Sequence, residues 1–376
     1  MDLRLSDEQE MLRDMLARYL RETYDFETRR SRIADVTGHD ARLWQDFAEL
    51  GVTAAALPEA TGGLGGGAQA AMIILEALGE ALAVTPYLET VVQGAALLEV
   101  SGGPWAEALL PEIASGTVRL AFAQAEPASH HCPHRVATRA ERSDDGWRLT
   151  GEKVVVVGAP AATHILVAAR IAGDISDRAG ISLFVVPADT PGLHLHPYRL
   201  IDERAAADIR FAGLHLPDTA LLGTEGQALA AIETAEVAAI SGLCAEAVGV
   251  LRRMVEDSVA YTRQRRQFGR PIAELQALQH RMVDMRLALE QAISATYLAT
   301  LNLASPAMRD RATAAAKVTI SRAARFIGES AVQLHGAMGM TEELAISHYF
   351  KRAATIQTQF GSADHHLARY AALRAA

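Results

Sequence analysis

The sequence has few cysteines and no concentrated positive charge. Its two cysteines, Cys132 and Cys244, lie far apart, so we expect no disulfide framework and a reducing compartment. The 36 basic residues are outnumbered by 45 acidic ones, the net charge is -9, and no run of five or more basic residues occurs. This balance disfavours nucleic acid or an anionic membrane as the main partner.

Long uncharged apolar segments are missing as well. No stretch approaches an uncharged apolar run of about 18 residues, the length that a membrane-spanning helix needs. Residues 1–10 are charged and contain no apolar signal segment. We therefore expect a soluble cytoplasmic protein without a membrane partner. Because 50% of the residues are hydrophobic, the chain can bury enough surface for two or three domains.

Three zones of the chain differ in hydrophobic pattern. Residues 1–118 have apolar side chains at helical spacing and predict an α-helical N-terminal lobe. Residues 119–226 contain short β-branched segments bounded by Gly, Pro or Asp, which predict a middle β-domain built as an antiparallel barrel or sandwich. Residues 227–376 have long proline-free apolar stripes and predict a C-terminal four-helix bundle. The fold class is therefore α+β, with several domains.

The strongest motif lies in residues 261–272, which read Tyr-Thr-Arg-Gln-Arg-Arg-Gln-Phe-Gly-Arg-Pro-Ile. We expect one helix to end near Gly269 and the next to begin after Pro271, so that cationic and aromatic side chains meet at a corner. Arg265 offers a planar fork that suits a phosphate, and Phe268 can pack against a planar ring. From the residues alone, a solvated basic helix end favoured by the helix dipole is the alternative.

Two motifs resemble those of the acyl-CoA dehydrogenase family. The first is an Arg-x-x-Phe-Gly-x-Pro-Ile-x-x-x-Gln pattern, formed here by Arg265, Phe268 and Gln276. The second begins at Gln333 and reaches Gly336, and it is similar to the family's Gln-x-x-Gly-Gly-x-Gly segment. Weaker Glu-Pro and Gly-x-Lys motifs in the middle zone, and the order helical, strand-rich, helical, extend the resemblance to essentially the whole chain.

This resemblance implies a FAD-dependent enzyme that desaturates acyl-CoA thioesters between Cα and Cβ. In the family a glutamate removes the α-proton, the flavin takes the β-hydride, and electron-transfer flavoprotein is the usual acceptor. Members are typically tetramers in which one subunit lends the two motifs to the FAD of a neighbour. The resemblance therefore gives Arg265, Phe268, Gln276, Gln333 and Gly336 as cofactor-binding residues.

The catalytic base of the family has no counterpart at its usual places in this chain. The glutamate position near the C-terminus is matched by Phe360, and the position that some members use on the long helix is matched by Ala239. Because proton abstraction needs a group that accepts a proton, neither residue can act as the base. Displaced alternatives are Glu236, one helical turn before Ala239, and Asp364.

The residues that contact the flavin ring in the family are replaced too. Relatives carry Trp and Thr shortly after the Gly-x-Lys turn, where this chain has Val155 and Val157. The Thr that usually precedes Glu-Pro is Ala125 here. Compared with the family, this chain therefore lacks hydroxyl donors and an aromatic wall for the flavin, while the motifs lent to a neighbour are kept.

A histidine-rich loop in residues 130–134 reads His-His-Cys-Pro-His and suggests a zinc site at first sight. Adjacent ligands do not converge tetrahedrally with ease, and no second Cys/His pair follows. We therefore predict a polar loop and no metal.

Together these features predict a FAD-associated subunit that completes the FAD site of a partner subunit carrying the catalytic glutamate. The pattern resembles the small, base-less subunit of heteromeric acyl-CoA dehydrogenases, which occur in bacterial breakdown of dicarboxylic acids and steroid side chains. Residues 24–27 (Tyr-Asp-Phe-Glu) and 364–366 (Asp-His-His) are similar to the small subunit of a pimeloyl-CoA dehydrogenase. The alternatives are a self-sufficient flavoenzyme with Glu236 or Asp364 as base, and a catalytically silent structural or binding protein on the same fold.

Overall fold

The computed structural model of the chain describes residues 5–33 and 39–375. The first four residues of the predicted N-terminal lobe and the segment 34–38 lie outside this part. The chain divides into two compact units, and the division falls inside one long helix, between Ala239 and Ile240. One unit consists of Met1–Arg30, Ala68–Ala83 and Ile240–Ala376, and the other consists of Ser31–Gly67 and Val84–Ala239.

Helices occupy both ends of the chain. They are α1 (Asp7–Thr23), α2 (Phe26–Arg32), α3 (Ala41–Glu49), α4 (Gly67–Glu80), α5 (Ala95–Ser101), α6 (Pro104–Ala114), α7 (Leu229–Gln264), α8 (Gln276–Leu301), α9 (Arg309–His335), α10 (Ala345–Thr358) and α11 (Ala363–Ala375). Helix α1 begins with a capping box, in which Ser6 and Gln9 satisfy each other's main-chain N–H groups. The predicted order, helical then strand-rich then helical, is confirmed.

Strands fill the middle of the chain. They are β1 (Leu120–Ala123), β2 (Arg139–Ser143), β3 (Gly146–Val157), β4 (His164–Arg170), β5 (Ile181–Pro187), β6 (His194–Arg199), β7 (Ala205–Pro217) and β8 (Leu221–Leu222), followed after α7 by the short pair β9 (Arg266–Gln267) and β10 (Arg270–Pro271). The first eight form one sheet in the order β6-β7-β3-β2-β4-β5-β8, with β1 beside β4. Pairing is antiparallel except where β4 meets β1 and β2.

Sequence patterns account for the sheet's local structure. The Asp144-Asp145-Gly146 signal forms the predicted hairpin between β2 and β3, with Ser143 paired to Gly146. Strands β4 and β5 are buried along nearly their whole length, as expected for apolar runs with both faces covered. Trp147 of β3 packs edge-on against the ring of Phe184, with centroids 5.3 Å apart.

Two glycines allow α4 and α7 to pack unusually closely within the first unit. A Cβ atom on Gly79 would lie 2.0 Å from the carbonyl oxygen of Glu246, and one on Gly249 would lie 1.9 Å from that of Glu76. Any larger residue at these positions would force the helices apart. Helix α7 is long and apolar enough to cross a membrane, but 89% of its apolar window is buried inside the protein, which is typical of the core helix of a bundle.

A fully buried arginine holds two loops of the β-domain together. Arg170 ends β4 and has no exposed surface (0%). Its guanidinium donates to main-chain carbonyl oxygens of Val136 (3.0 Å), Ala179 (2.9 Å), His134 (2.8 Å), Ile175 (3.2 Å), Asp177 (2.9 Å) and Ala172 (3.3 Å). A planar fork with five N–H donors suits this arrangement, and no smaller side chain supplies as many donors.

We expect Arg170→Met to lower the free energy of unfolding by about 3–5 kcal/mol, because several buried carbonyls lose their donor. Arg178→Met is the matched control, since Arg178 forms an exposed ion pair with Glu233, and such pairs contribute below about 1 kcal/mol. Urea unfolding followed by circular dichroism measures both changes. Equal losses in the two variants would contradict the role given to Arg170.

Candidate cofactor and catalytic site

The predicted helix corner is a short β-hairpin. Helix α7 ends at Gln264, earlier than the predicted end near Gly269, and β9 pairs with β10 around the two-residue turn Phe268-Gly269. Both turn residues have positive φ, +51° and +78°, as in a type I′ turn. The helix boundary was wrong because residues 266–271 pair with each other across this turn, and the positive φ of Phe268 and Gly269 is incompatible with a right-handed helix.

The hairpin turn presents Phe268 to solvent. Its side chain is 89% exposed, and a non-glycine residue at this φ costs on the order of 1–2 kcal/mol. An apolar ring held outward at a strained turn is typical of a recognition surface and contributes nothing to the core. Arg265 and Gln276, on either side of the turn in sequence, are exposed too.

The second predicted motif lies beside the end of α7. The ring of Tyr261 stacks on that of His335 with centroids 4.3 Å apart, and its hydroxyl donates to the His335 carbonyl at 3.4 Å. Helix α9 ends at His335, and Gly336 leaves it with φ +63°. Gln333 and Gly336, both exposed, therefore lie at the same end of the bundle as the start of the hairpin.

The exposed groups at this end suit the adenosine diphosphate half of FAD. Arg265 supplies a cationic fork for a phosphate, Phe268 a ring face for a planar base, and Gln276 and Gln333 amides for hydrogen bonds. A Cβ atom at Gly336 would meet no atom within 4 Å. The positive φ of this residue, and not a lack of space, is therefore what favours glycine here. These residues would hold the cofactor half that the resemblance assigns to them.

The predicted base position is a strained turn between α10 and α11. Phe360 has φ +59° and Gly361 has φ +107°. Lys317, with no exposed surface (0%), donates from Nζ to the carbonyl oxygens of Ile356 at 2.8 Å and Gly361 at 3.0 Å. His366, also 0% exposed, places Nε2 2.8 Å from the Phe360 carbonyl oxygen. The main chain of this turn is therefore fixed by buried polar side chains, while Phe360 itself cannot accept a proton.

The two displaced-base candidates lie in different environments. Glu236 is 7% exposed on α7, a degree of burial that is uncommon for a carboxylate. Asp364 is exposed in the first turn of α11, where the helix dipole stabilises its charge. Ala239 is fully buried (0%). Glu236 thus keeps the position of alternative base, and Asp364 is explained as a helix-terminal surface group.

Helix α7 carries a second buried carboxylate that the sequence patterns did not predict, that of Glu246. Arg352 of α10 binds it through two parallel hydrogen bonds, Nε to Oε1 at 2.7 Å and Nη2 to Oε2 at 2.8 Å, with both side chains 3% exposed. A carboxylate satisfied in this way is structural. The signal was a charged residue within the apolar stripe that contains Leu243 and Ala247, but a partner 106 positions away is visible only in the fold.

The Glu-Pro and Gly-x-Lys motifs of the middle zone meet in a buried ion pair. Lys153 Nζ lies 2.7 Å from Glu126 Oε1, and the carboxylate also accepts the main-chain N–H groups of Ala137 at 2.6 Å and Thr138 at 3.0 Å. Burial raises the carboxyl pKa, but Lys153 and the amide donors outweigh it and hold the pKa of Glu126 below its ordinary value. This pair fixes the strand segment that leads to Val155.

Strand β3 has a β-bulge at the predicted flavin-facing position. The register with β7 shifts between Lys153 and Val156, so Val154 and Val155 together oppose Asp208. Val155 has φ +52°, which is unusual for a β-branched residue, and its side chain is 47% exposed. The bulge turns this side chain outward.

The bulge region does not fit an isoalloxazine ring. The pyrimidine edge of that ring carries mainly acceptors, yet the Val155 N–H already donates to Asp208 Oδ1 at 2.9 Å. The side chains of Val157 and Ala125 have no donor, and a carboxylate only accepts. These three positions therefore lack the donors that suit the flavin ring, whereas the hairpin end has the groups that suit the diphosphate half.

The histidine-rich loop shows no constellation for a metal. Cys132 Sγ lies 3.4 Å from His134 Nε2. Among residues 5–33 and 39–375, no group of three or more His, Cys, Asp or Glu side chains is placed to hold a metal ion. The absence of a metal site stays a prediction.

Acid is expected to destabilise the turn at Phe360. Burial lowers the pKa of His366 to about 4, so the unfolded chain takes up a proton at a higher pH than the folded chain does. The resulting stability is complete above about pH 6.5 and is lost as the pH falls through about 4. We expect His366→Gln to reduce the fall in unfolding free energy over this range by up to about 3 kcal/mol, measured by urea unfolding at each pH.

His196→Gln, at an exposed position on β6 far from this turn in sequence, is the control and should keep the wild-type pH dependence. The other buried histidines of the chain maintain part of the dependence of the unfolding free energy on pH in both variants. If the slope for His366→Gln equals that of the wild type, the acid response comes from other groups.

Profiles of known families match nearly the whole chain. Residues 6–117 match "Acyl-CoA dehydrogenase, N-terminal domain". Residues 121–214 match the middle domain of the same family, and residues 231–372 match its C-terminal domain.

Individual proteins show the same similarity. The chain is 28% identical over 379 residues to the probable acyl-CoA dehydrogenase YngJ of Bacillus subtilis, covering 97% of each chain. It resembles a chain of the ChsE4-ChsE5 complex from Mycobacterium tuberculosis, with 25% identity, a TM-score of 0.89 and coverage of 100% of this chain and 99% of that one. A variant of the Tcur3481-Tcur3483 steroid ACAD matches with 27% identity, a TM-score of 0.88 and 98% coverage of each chain.

The profile matches span the helical N-terminal zone, the strand-rich middle and the C-terminal helices in the observed order. The cofactor of this family is FAD, and its substrates are acyl-CoA thioesters. On this evidence the chain belongs to the acyl-CoA dehydrogenase family of FAD-dependent oxidoreductases.

Proposed function

We propose that this chain is the base-less, FAD-associated subunit of a heteromeric acyl-CoA dehydrogenase whose partner subunit carries the catalytic glutamate. The observation that carries the proposal is an asymmetry between two groups of residues. The hairpin end keeps an exposed Arg265 and an 89% exposed Phe268. The side chain of Phe360 cannot accept a proton, and the Val155 N–H at the bulge already donates to Asp208.

The chemistry explains why such a subunit needs a partner. Desaturation removes the weakly acidic α-proton of the thioester, so a positioned base is required, and such help contributes about 10²–10⁴-fold to the rate. FAD, when bound, accepts the hydride. In the proposed assembly Arg265 neutralises diphosphate charge and Phe268 covers a planar group, while the partner's glutamate handles the proton. This chain therefore contributes binding and orientation.

Two similar structures support a heteromer. One is a complex of ChsE4 with ChsE5, and the other carries the paired designation Tcur3481-Tcur3483. We extend the two-component arrangement to this chain, with an acyl-CoA as substrate and electron-transfer flavoprotein as acceptor. The cytoplasm is the proposed location of the assembly.

An apolar surface on the bundle is available for association. Helix α8 exposes Val283 (57%) and Leu287 (56%), and α9 exposes Phe326 (40%). Large apolar side chains that remain solvent-exposed on two packed helices indicate a contact surface. We propose that subunits associate through this face into a tetramer.

A self-sufficient flavoenzyme is the second candidate function, and the burial of Glu236 (7% exposed) favours it. In that case Glu236 would abstract the proton one helical turn from Ala239. A catalytically silent protein on the same fold is the remaining alternative, and it would not bind FAD, whether alone or together with any partner.

We expect Arg265→Ala to weaken FAD retention by the assembled complex roughly tenfold to hundredfold. The reason is loss of one charge-assisted hydrogen bond to phosphate, which contributes about 1.5–3 kcal/mol. The measurement is the FAD content of the purified complex after dialysis, with the dissociation constant from flavin fluorescence.

Arg18→Ala is the matched control for this experiment, because Arg18 is an exposed arginine on α1 outside the hairpin. It should retain FAD as the wild type does. Unchanged FAD content in Arg265→Ala would contradict the role of the hairpin.

The isolated chain is expected to desaturate acyl-CoA too slowly for useful turnover, and Phe360→Glu should restore little activity, because the groups that suit the flavin ring are still absent. Turnover is measured with an artificial electron acceptor, with and without the partner subunit. If the unmodified chain alone works as fast as ordinary family members, the proposal fails. Glu236→Gln then decides whether Glu236 is the base, since this variant should lose about 10²–10⁴-fold in rate.

A further inference from the structure

The bulge in β3 is held by side chains of the two neighbouring strands. The Val155 N–H donates to Asp208 Oδ1 of β7 at 2.9 Å, and the Tyr198 hydroxyl of β6 donates to the same oxygen at 2.7 Å. The order β6-β7-β3 in the sheet places these groups side by side. One carboxylate oxygen thus joins three strands at the bulge.

This contact offsets a conformational cost. Valine rarely adopts φ +52°, because its branched Cβ crowds the main chain, and such strain persists only where surrounding interactions maintain it. Main-chain pairing does not maintain it here, since the ladder is interrupted at the bulge. Burial and the hydrogen bond to Asp208 raise the pKa of Tyr198 to about 12, so its hydroxyl stays protonated and continues to donate.

We propose that Asp208 excludes an isoalloxazine ring from the middle domain of this chain. It engages the Val155 N–H, and it adds an acceptor-only carboxylate beside the position that faces the ring in the family. The ring's two carbonyl oxygens, N1 and N5 accept hydrogen bonds and only N3–H donates, so the loss of a main-chain donor and the added carboxylate charge both oppose its binding. This inference rests on the proposed function, and it makes Asp208 a specificity-determining residue that directs the flavin ring to the partner subunit.

Substitutions at the apolar positions separate two effects on flavin binding, the lack of the family's ring-contacting side chains and the presence of the Asp208 carboxylate. The starting variant combines Ala125→Thr, Val155→Trp and Val157→Thr, which return the residue types of the family. On this background Asp208 is kept, changed to Asn or changed to Ala. Asn keeps an acceptor for the N–H at position 155 without the charge, whereas Ala removes the carboxylate and its hydrogen bond to that N–H.

Riboflavin is the probe, because it carries the isoalloxazine ring without diphosphate or adenosine. Its binding does not depend on Arg265, so this test can fail while the FAD retention experiment succeeds, and the reverse. We expect quenching of riboflavin fluorescence to give at least tenfold tighter binding with Asp208→Ala than with Asp208 kept, and intermediate binding with Asp208→Asn. Glu152→Ala on the same background is the control, since Glu152 is an exposed acid on β3, and it should bind as weakly as the parent.

Equal riboflavin affinity with and without Asp208 overturns the proposal, as does failure of all variants to bind. A second measurement tests the role of Asp208 even if the combined variants fail to fold. In the otherwise unmodified chain, Asp208→Ala should speed amide hydrogen exchange at Val155 at least tenfold, and Tyr198→Phe should speed it less. Unchanged exchange in Asp208→Ala overturns the role of Asp208 at the bulge.

Discussion

The buried ion pair of Glu126 and Lys153 is the interaction on which the middle domain's functional surface depends. An ammonium and a carboxylate can be buried only when each finds its partners, and here two main-chain amides complete the set. The pair ties the loop after β1 to the centre of β3. The bulge begins immediately after Lys153, so the direction of Val155 follows from this anchor together with Asp208.

The helical unit uses its buried polar groups in the same structural manner. Glu246 is occupied by Arg352, and Lys317 is occupied by main-chain carbonyls around the turn at Phe360. His366 holds the carbonyl of Phe360 itself. The turn at Phe360, which the resemblance matches to the family's base position, is thus fixed by buried polar side chains, and a phenylalanine side chain cannot accept a proton.

Exposure separates the two parts of the proposed site. Phe268 stands in solvent on a strained turn, and a single chain gains nothing from keeping it there. Val155 is also strained and turned outward, but its N–H is consumed by Asp208. The hairpin at Phe268 therefore exposes groups that a ligand can contact, whereas the main-chain donor at Val155 is already hydrogen-bonded within the chain. In the proposed assembly this chain would support FAD, and the partner subunit would carry the chemistry.

Local patterns in the sequence determined much of this protein. The hydrophobic period predicted the three zones, and Asp144-Asp145-Gly146 predicted the first hairpin. The motifs singled out Arg265 and Phe268 as predicted cofactor-binding residues. These features depend on residues close together in the chain, where turn chemistry and periodicity act directly. The hairpin at Phe268 was mistaken for a helix corner, because the flanking segments are helical and a two-residue turn leaves a weak signal.

The tertiary structure alone decided which polar residues meet. The pairing of Glu246 with Arg352 spans 106 positions and that of Val155 with Asp208 spans 53. Neither separation corresponds to a helical or strand period, so no spacing rule could select these partners from the 45 acidic residues of the chain. Such contacts become favourable when packing removes the water that competes for the same polar groups. Burial and strand register, and not the local sequence pattern, therefore decide which polar residues pair.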